Sequence, residues 1–327
     1  MSKDTALSTV DDISQDISGV EISDSGDICK SCSDTTNMEI CANCGKEGDS
    51  LKSCAACKLV KYCSRDCQIA HRKLHKKECR KRVAELHDEK LFKDPPSLND
   101  DCPICFLRLP THTDGSRYKG CCGKVICSGC IYAVAKRDED ALCPFCRVPT
   151  AMTDEEIIKR LHKRADADDV LAIHALGIYY SERKNGPLDY DKAMGLWEQA
   201  AEIGHDASIT SIGRSYIYGY GVEKDEKKAL HYWELAAMGG CSNARYNLGV
   251  FEHSAGNKER ALRHYMIAVE SGHNGSLKQI QELYSEGKAT KDEYTKALRA
   301  YQKYLGEVKS RQRDEAAAAF EGFKYYA

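Results

Sequence analysis

At 327 residues the chain has room for two or three domains and at least one sizeable core. Its 48 lysines and arginines against 50 aspartates and glutamates leave a formal net charge of -2, which excludes the strongly basic balance of a whole-chain nucleic-acid or membrane-surface binder. No secretory-type apolar segment and no apolar run long enough to span a bilayer can be found, so the expected location is cytoplasmic or nuclear, with no membrane partner. In that reducing setting 18 cysteines are expected to serve as metal ligands rather than disulfides, and 17 of them fall between Cys29 and Cys146.

In chain order, residues 1–40 form an expected disordered acidic tail. Seven acids stand against Lys3 in the first 28 residues, and the Cys29-x-x-Cys32 pair has no obvious partner pair. The first cysteine array, residues 41–79, reads Cys41-x-x-Cys44, Cys54-x-x-Cys57, Cys63-x-x-x-Cys67 and His75-x-x-x-Cys79. A Cys-x-x-Cys turn offers two thiolates to one metal, and an i, i+4 spacing puts two ligands on one helix face, so eight ligands imply two tetrahedral zinc ions. With no open coordination position, those ions are structural.

The array resembles the MYND-type finger, with Tyr62 and Gln68 also in agreement. The resemblance implies interleaved sites: Cys41, Cys44, Cys63 and Cys67 on one ion, Cys54, Cys57, His75 and Cys79 on the other. It also implies binding of short proline-containing peptides, although His71-Arg72 replaces the stretch where the family usually carries a tryptophan.

A basic helix and linker at residues 80–100 follow, ended by Pro95 and Pro96. The basic run from Arg72 to Arg82 is expected to be a solvated helix face, which makes nucleic acid an unlikely partner.

The second array, residues 101–148, reads Cys102-Pro103-Ile104-Cys105, Cys121-Cys122-Gly123-Lys124, Cys127-x-x-Cys130 and Cys143-Pro144-Phe145-Cys146-Arg147. It resembles a RING-type finger. The resemblance implies one site from Cys102, Cys105, Cys127 and Cys130, and another using Cys122, Cys143 and Cys146. Lys124 stands where the family's usual histidine completes that second site, and a protonated lysine cannot ligate zinc. Cys121 is the natural substitute, with His112 behind it, so one or two ions are expected. Ligation by both Cys121 and Cys122 needs a tight turn, which Gly120 and Gly123 permit. The resemblance further implies that Ile104 and Pro144 form a groove for a ubiquitin-conjugating enzyme and that Arg147 braces the bound ubiquitin, whereas Ile131–Leu142 lacks the aromatic residue many ligases place in that groove.

A linker helix is expected at 149–168, helical repeats at 169–305, and a C-terminal capping helix at 306–327. Leu176-Gly177, Ile212-Gly213 and Leu248-Gly249 recur every 36 residues, while Lys192-Ala193, Lys228-Ala229, Arg260-Ala261 and Lys296-Ala297 mark second helices. Gly204, Gly240 and Gly272 are expected to stop helices, and Asp225, Asn257 and Thr290 to cap them. Trp197, Trp233, Tyr179, Tyr216 and Tyr246 fall at packing positions, and Cys241 is expected as a small buried residue.

These repeats resemble Sel-one-like repeats, relatives of the tetratricopeptide repeat, which implies an interaction scaffold. The expected fold is thus mainly α, with two small zinc-stapled modules followed by an α-solenoid of stacked helix pairs. Two functions fit it: a RING-type ubiquitin ligase whose solenoid or first finger recruits substrate, or a non-enzymatic adaptor whose modules only bind proteins.

Overall fold

A computed structural model describes residues 39–48, 50–94, 96, 100–111, 113–137, 142–151, 153–182 and 188–326. The acidic tail up to residue 38, with Cys29 and Cys32, and also Pro95 and His112, lie outside the described residues. Two compact units divide the chain, residues 1–79 and 80–327.

In the first unit, β1 (Lys52–Ser53) pairs antiparallel with β2 (Lys61–Tyr62), and α1 (Arg65–Leu91) begins just after Cys63. Starting a helix there places Cys67 in its first turn and puts His75 and Cys79 one turn apart on one side.

The second unit opens on a small hairpin, β3 (Ser116–Lys119) and β4 (Lys124–Cys127), followed by α2 (Ser128–Ala135). The linker helix α3 (Asp154–Ala165) is capped by Thr153, whose side chain accepts from the Glu156 N–H at 3.3 Å. Among the described residues four helix pairs then succeed one another: α4 (Val170–Ser181) with α5 (Tyr190–Glu202), α6 (Asp206–Tyr218) with α7 (Glu226–Gly239), α8 (Ser242–Ser254) with α9 (Lys258–Glu270), and α10 (Asn274–Ser285) with α11 (Lys291–Val308). A last helix, α12 (Arg311–Ala319), closes the chain.

The recurrent Leu-Gly dipeptide explains the pairing. Leu176, Ile212 and Leu248 are buried, and each following glycine faces an aromatic ring of the next helix. A Cβ on Gly177, Gly213 or Gly249 would stand 2.3, 2.5 and 2.4 Å from Trp197, Trp233 and Tyr265. Trp197 and Trp233 are buried as their spacing predicts, whereas Tyr179, Tyr216 and Tyr246 are only partly so.

Helix stops at Gly204, Gly240 and Gly272 all have positive φ. Asp225 caps α7 by accepting from the Lys228 N–H at 3.0 Å, and Thr290 with Glu293 forms a complete capping box. Asn257 differs from expectation. It holds the N-cap position of α9, but its amide turns back to donate to Glu252 Oε2 at 2.7 Å, leaving no side-chain cap. Cys241 is partly exposed rather than buried, since it occupies the N-cap position of α8, where the chain enters the helix.

Candidate metal centres

Four Cys-x-x-Cys pairs lie in the same local turn, while Cys127 and Cys130 sit at the start of α2. The N–H of the residue after the second cysteine donates to the carbonyl of the first: Gly45 to Cys41, Lys58 to Cys54 and Phe106 to Cys102 at 2.9 Å, Arg147 to Cys143 at 3.0 Å. All four residues that follow adopt positive φ, between 56° and 71°. Only Gly45 betrays this conformation by its type; Lys58, Phe106 and Arg147 enter a region L-residues seldom occupy. The returning chain then accepts from the first cysteine's own N–H, as with Val60 and Cys54 or Val148 and Cys143, both at 2.8 Å. These bonds aim both thiols of a pair at one point.

Four donor groups result. Cys41, Cys44, Cys63 and Cys67 converge, as do Cys54, Cys57, His75 and Cys79; in the second unit Cys102, Cys105, Cys127 and Cys130 form one group and Cys121, Cys122, Cys143 and Cys146 the other. Within each group the ligand atoms all lie within 4.8 Å of one another.

Zinc fits these sets on geometry. A zinc–sulfur bond of about 2.3 Å makes the edge of a tetrahedron about 3.8 Å. The Cys44–Cys63 and Cys121–Cys146 sulfurs are 3.5 Å apart, Cys105–Cys127 3.7 Å, and Cys54–Cys79 and Cys122–Cys143 3.9 Å. A disulfide would need about 2.05 Å, and every described cysteine is free.

Electrostatics agree. Backbone N–H groups, with Cys63's foremost, hold the Cys41 thiol down to about 6, while hydrogen bonds from Cys44 and Cys67 push Cys63 up to about 12. Four crowded thiols cannot all ionise without a cation among them.

The turn that lets adjacent cysteines share a group is the β3–β4 hairpin loop. Cys122 and Gly123 both donate to the Lys119 carbonyl, at 3.1 and 2.8 Å, and Gly123 takes φ +70° against Asp169 and Arg164. Lys124 stays out of the group, its ammonium 6.0 Å from the centre of the Phe145 ring. In the first unit His71 stacks on His75 at 5.8 Å and hydrogen-bonds Tyr62 at 3.1 Å, so it props a donor histidine.

Ile104 and Pro144 are half-buried, Ile104 packed against the cysteine core of its module; Arg147 is exposed. Sequence reasoning missed Arg313. It is fully buried, donating to the carbonyls of Arg108 at 2.8 Å, Val308 at 2.6 Å and Leu107 at 3.3 Å, with Cys105 Sγ at 3.7 Å. Nothing local marks it, because all of these partners but Val308 lie about 200 residues away. Arg164 likewise donates to the Gly120 and Cys121 carbonyls at 3.3 Å. A cavity of about 450 Å³ lies beside this second group, lined by Cys121, Cys143, Ile131, Leu161 and Phe323 among others. Among the described residues no helix is long and apolar enough to cross a membrane.

The MYND finger family matches residues 41–79, and the Sel1 repeat matches residues 170–205, 208–241 and 242–273. The ERAD-associated E3 ubiquitin-protein ligase component HRD3B of Arabidopsis thaliana is 31% identical over 113 residues, 34% of this chain and 18% of that protein. A SET and MYND domain-containing protein of Dictyostelium discoideum is 49% identical over 47 residues, 12% of this chain and 9% of its own length. The chain spans less than a quarter of the curated relatives it matches. A Sel1 repeat protein from Oxalobacter formigenes aligns with a TM-score of 0.41 at 22% identity, covering 53% of this chain and 73% of that one.

Proposed function

We propose, for a chain that carries a MYND finger followed by Sel1 repeats and is thereby a zinc-binding protein-interaction scaffold, that its RING-like module is the docking face for a ubiquitin-conjugating enzyme. The observation that carries this is the make-up of the two turns at Cys102–Cys105 and Cys143–Cys146. They hold Ile104 and Pro144 half-exposed and present Phe106, Phe145 and Arg147 to solvent, Phe106 at 76% exposure. Such a face does no covalent chemistry. It orients a thioester for attack by a substrate lysine, and orientation alone is worth large rate factors. The repeats and the MYND finger would supply the substrate or the adaptor contacts.

The proposed metal content is four zinc ions per chain, two in each module, with Cys121 completing the set that Lys124 cannot. Metal analysis of the purified protein decides between four and three. With four ions bound, the chain is expected to promote its own ubiquitination with at least one member of a panel of conjugating enzymes. Ile104→Ala or Arg147→Ala is expected to reduce that activity by about tenfold or more, a loss of orientation rather than of chemistry. A folded, fully loaded chain that stays silent across the panel rejects the docking face.

A second reading, the non-enzymatic adaptor, draws on a specific contact: the helix α2 of the RING-like module is packed by α12, with Gly129 against the Arg313 backbone and Tyr132 against Phe320. In that case partner capture survives both substitutions unchanged.

A further inference from the structure

The cavity beside the second RING-like donor group has walls from several separate parts of residues 80–327. β3 and the hairpin loop form one side with Lys119 and Gly120, α3 forms a second with Ile157 and Leu161, and Ala175 of α4 and Phe323 near the C-terminus close it. These walls are fastened to one another. Arg160 donates to the Pro149 carbonyl at 2.8 Å, Arg164 to the Gly120 and Cys121 carbonyls at 3.3 Å, and Arg117 to the Gly322 carbonyl at 2.9 Å. A Cβ on Gly120 would stand 3.4 Å from Arg160 and 3.7 Å from Leu161, so the loop already rests on α3 and the opening does not close by sliding one onto the other.

At about 450 Å³ the cavity falls in the size range of small-molecule sites, about 300–1,000 Å³, and is about three times as large as one that holds benzene. Its lining is mostly aliphatic, with Ile131, Ile157, Leu161, Ala151 and Ala175. The charged side chains among the lining residues are all cations, Arg117, Lys119 and Arg160, and no aspartate or glutamate accompanies them there. Two of the three are already engaged, Arg160 with Glu156 and Arg117 with Asp114 at 3.7 Å. Lys119 is half-buried and has no acidic partner among the described residues. An apolar body that carries one negative charge is the complement of such a lining.

We propose that this cavity is a binding site for a small amphipathic carboxylic acid, with its hydrocarbon body among Ile131, Ile157, Leu161 and Ala175 and its carboxylate on the Lys119 ammonium. Each methylene taken out of water adds about two- to fourfold in affinity, and the charge-assisted contact at Lys119 sets the orientation. A molecule seated there touches β3, α3, α4 and the C-terminal segment at once, so its binding energy adds to the stability of their packing. Ile104, Pro144 and Arg147 do not line the cavity, and the proposal goes beyond the docking-face reading.

The probe is decanoate, titrated calorimetrically into the zinc-loaded full chain, with butanoate, decanol and decylamine as comparisons and the melting temperature followed alongside. Decanoate is expected to bind saturably at about one molecule per chain and to raise the melting temperature, and butanoate to bind about a hundredfold or more weakly. Lys119→Gln is expected to weaken decanoate by about tenfold and to leave decanol unchanged. Ile157 is 41% exposed, so Ile157→Glu places a like charge at the cavity without burying it and is expected to weaken decanoate by about tenfold or more. The zinc set that Cys121 and Cys143 help to complete is formally anionic, which makes the amine the decisive competitor. Decylamine binding more tightly than decanoate, or equal decanoate binding to wild type and Lys119→Gln, overturns the carboxylate assignment. Absence of saturable decanoate binding by both heat and melting temperature overturns the site itself. No conjugating enzyme takes part, so these results and those for the docking face are separate.

Discussion

Arg313 shows how much one side chain can hold when it is buried at a junction. Its guanidinium satisfies three carbonyls and approaches the Cys105 sulfur, so it ties α12, the end of α11 and the first turn of the RING-like module together. Arg313→Met removes the fork and strands those carbonyls, at about 3–5 kcal/mol of unfolding free energy, measurable by denaturant titration. Arg313→Lys is expected to recover only part of this, since an ammonium cannot span carbonyls on both sides. Because the guanidinium also lies 3.7 Å from the Cys105 sulfur and helps to position that donor, chelator-driven zinc release from the variant is expected to be about tenfold faster. A variant with wild-type stability and wild-type release would show that the buried contacts contribute nothing.

Helices of the repeat depend on glycine in two opposite ways. At Gly213 a methyl group would fall 2.5 Å from the Trp233 ring, whereas at Gly195, on the exposed side of α5, it would meet nothing within 4 Å. Alanine favours a helix over glycine by about 0.8–1 kcal/mol, and overpacking typically costs about 1–3 kcal/mol. Gly213→Ala is therefore expected to destabilise by about 1–2 kcal/mol and Gly195→Ala to stabilise by up to about 1 kcal/mol. The chain's two tryptophans, Trp197 and Trp233, both sit in these pairs, so their fluorescence reports the transition directly. Equal effects at the two glycines would refute the close-approach explanation. In the last pair the Leu-Gly dipeptide becomes Ile280-Gln281. Gln281 replaces the glycine and is exposed, yet Ile280 and Tyr301 stay buried, so a helix pair forms there without the signature dipeptide.

Within residues 80–327 the RING-like module is held on two sides. Tyr118 of β3 donates to Asp169 at the start of the repeats at 2.8 Å, and α2 rests on α12. Tyr325, 1% exposed, bonds Asp314 and backs Gly115, so the final residues belong to this packing rather than to a cap on the repeats alone. Deleting residues 310–327 is expected to lower the melting temperature by about 10 °C, from Arg313 alone at about 2–4 °C per kcal/mol for a unit of this size. Limited proteolysis should then cut first in the RING-like module while the Sel1 repeats stay protected. An unchanged melting temperature would identify the C-terminal segment as a dispensable appendage.

What the amino-acid sequence determined by itself is everything written in short spacings: thiol pairs three apart that fold as metal-binding turns, donors four apart on one helix, and a helical repeat punctuated by glycine. Those signals are local because the hydrogen bonds that fix them close within five or six residues. The Cys121-Cys122 turn was legible in the same way, from Gly120 and Gly123. Tertiary structure alone decided that Arg313 is buried against the first RING-like donor group and that Leu91 and Phe92 lie in a groove of basic side chains. Each depends on partners tens to hundreds of residues away, where burial and charge are set by packing and leave no spacing to read.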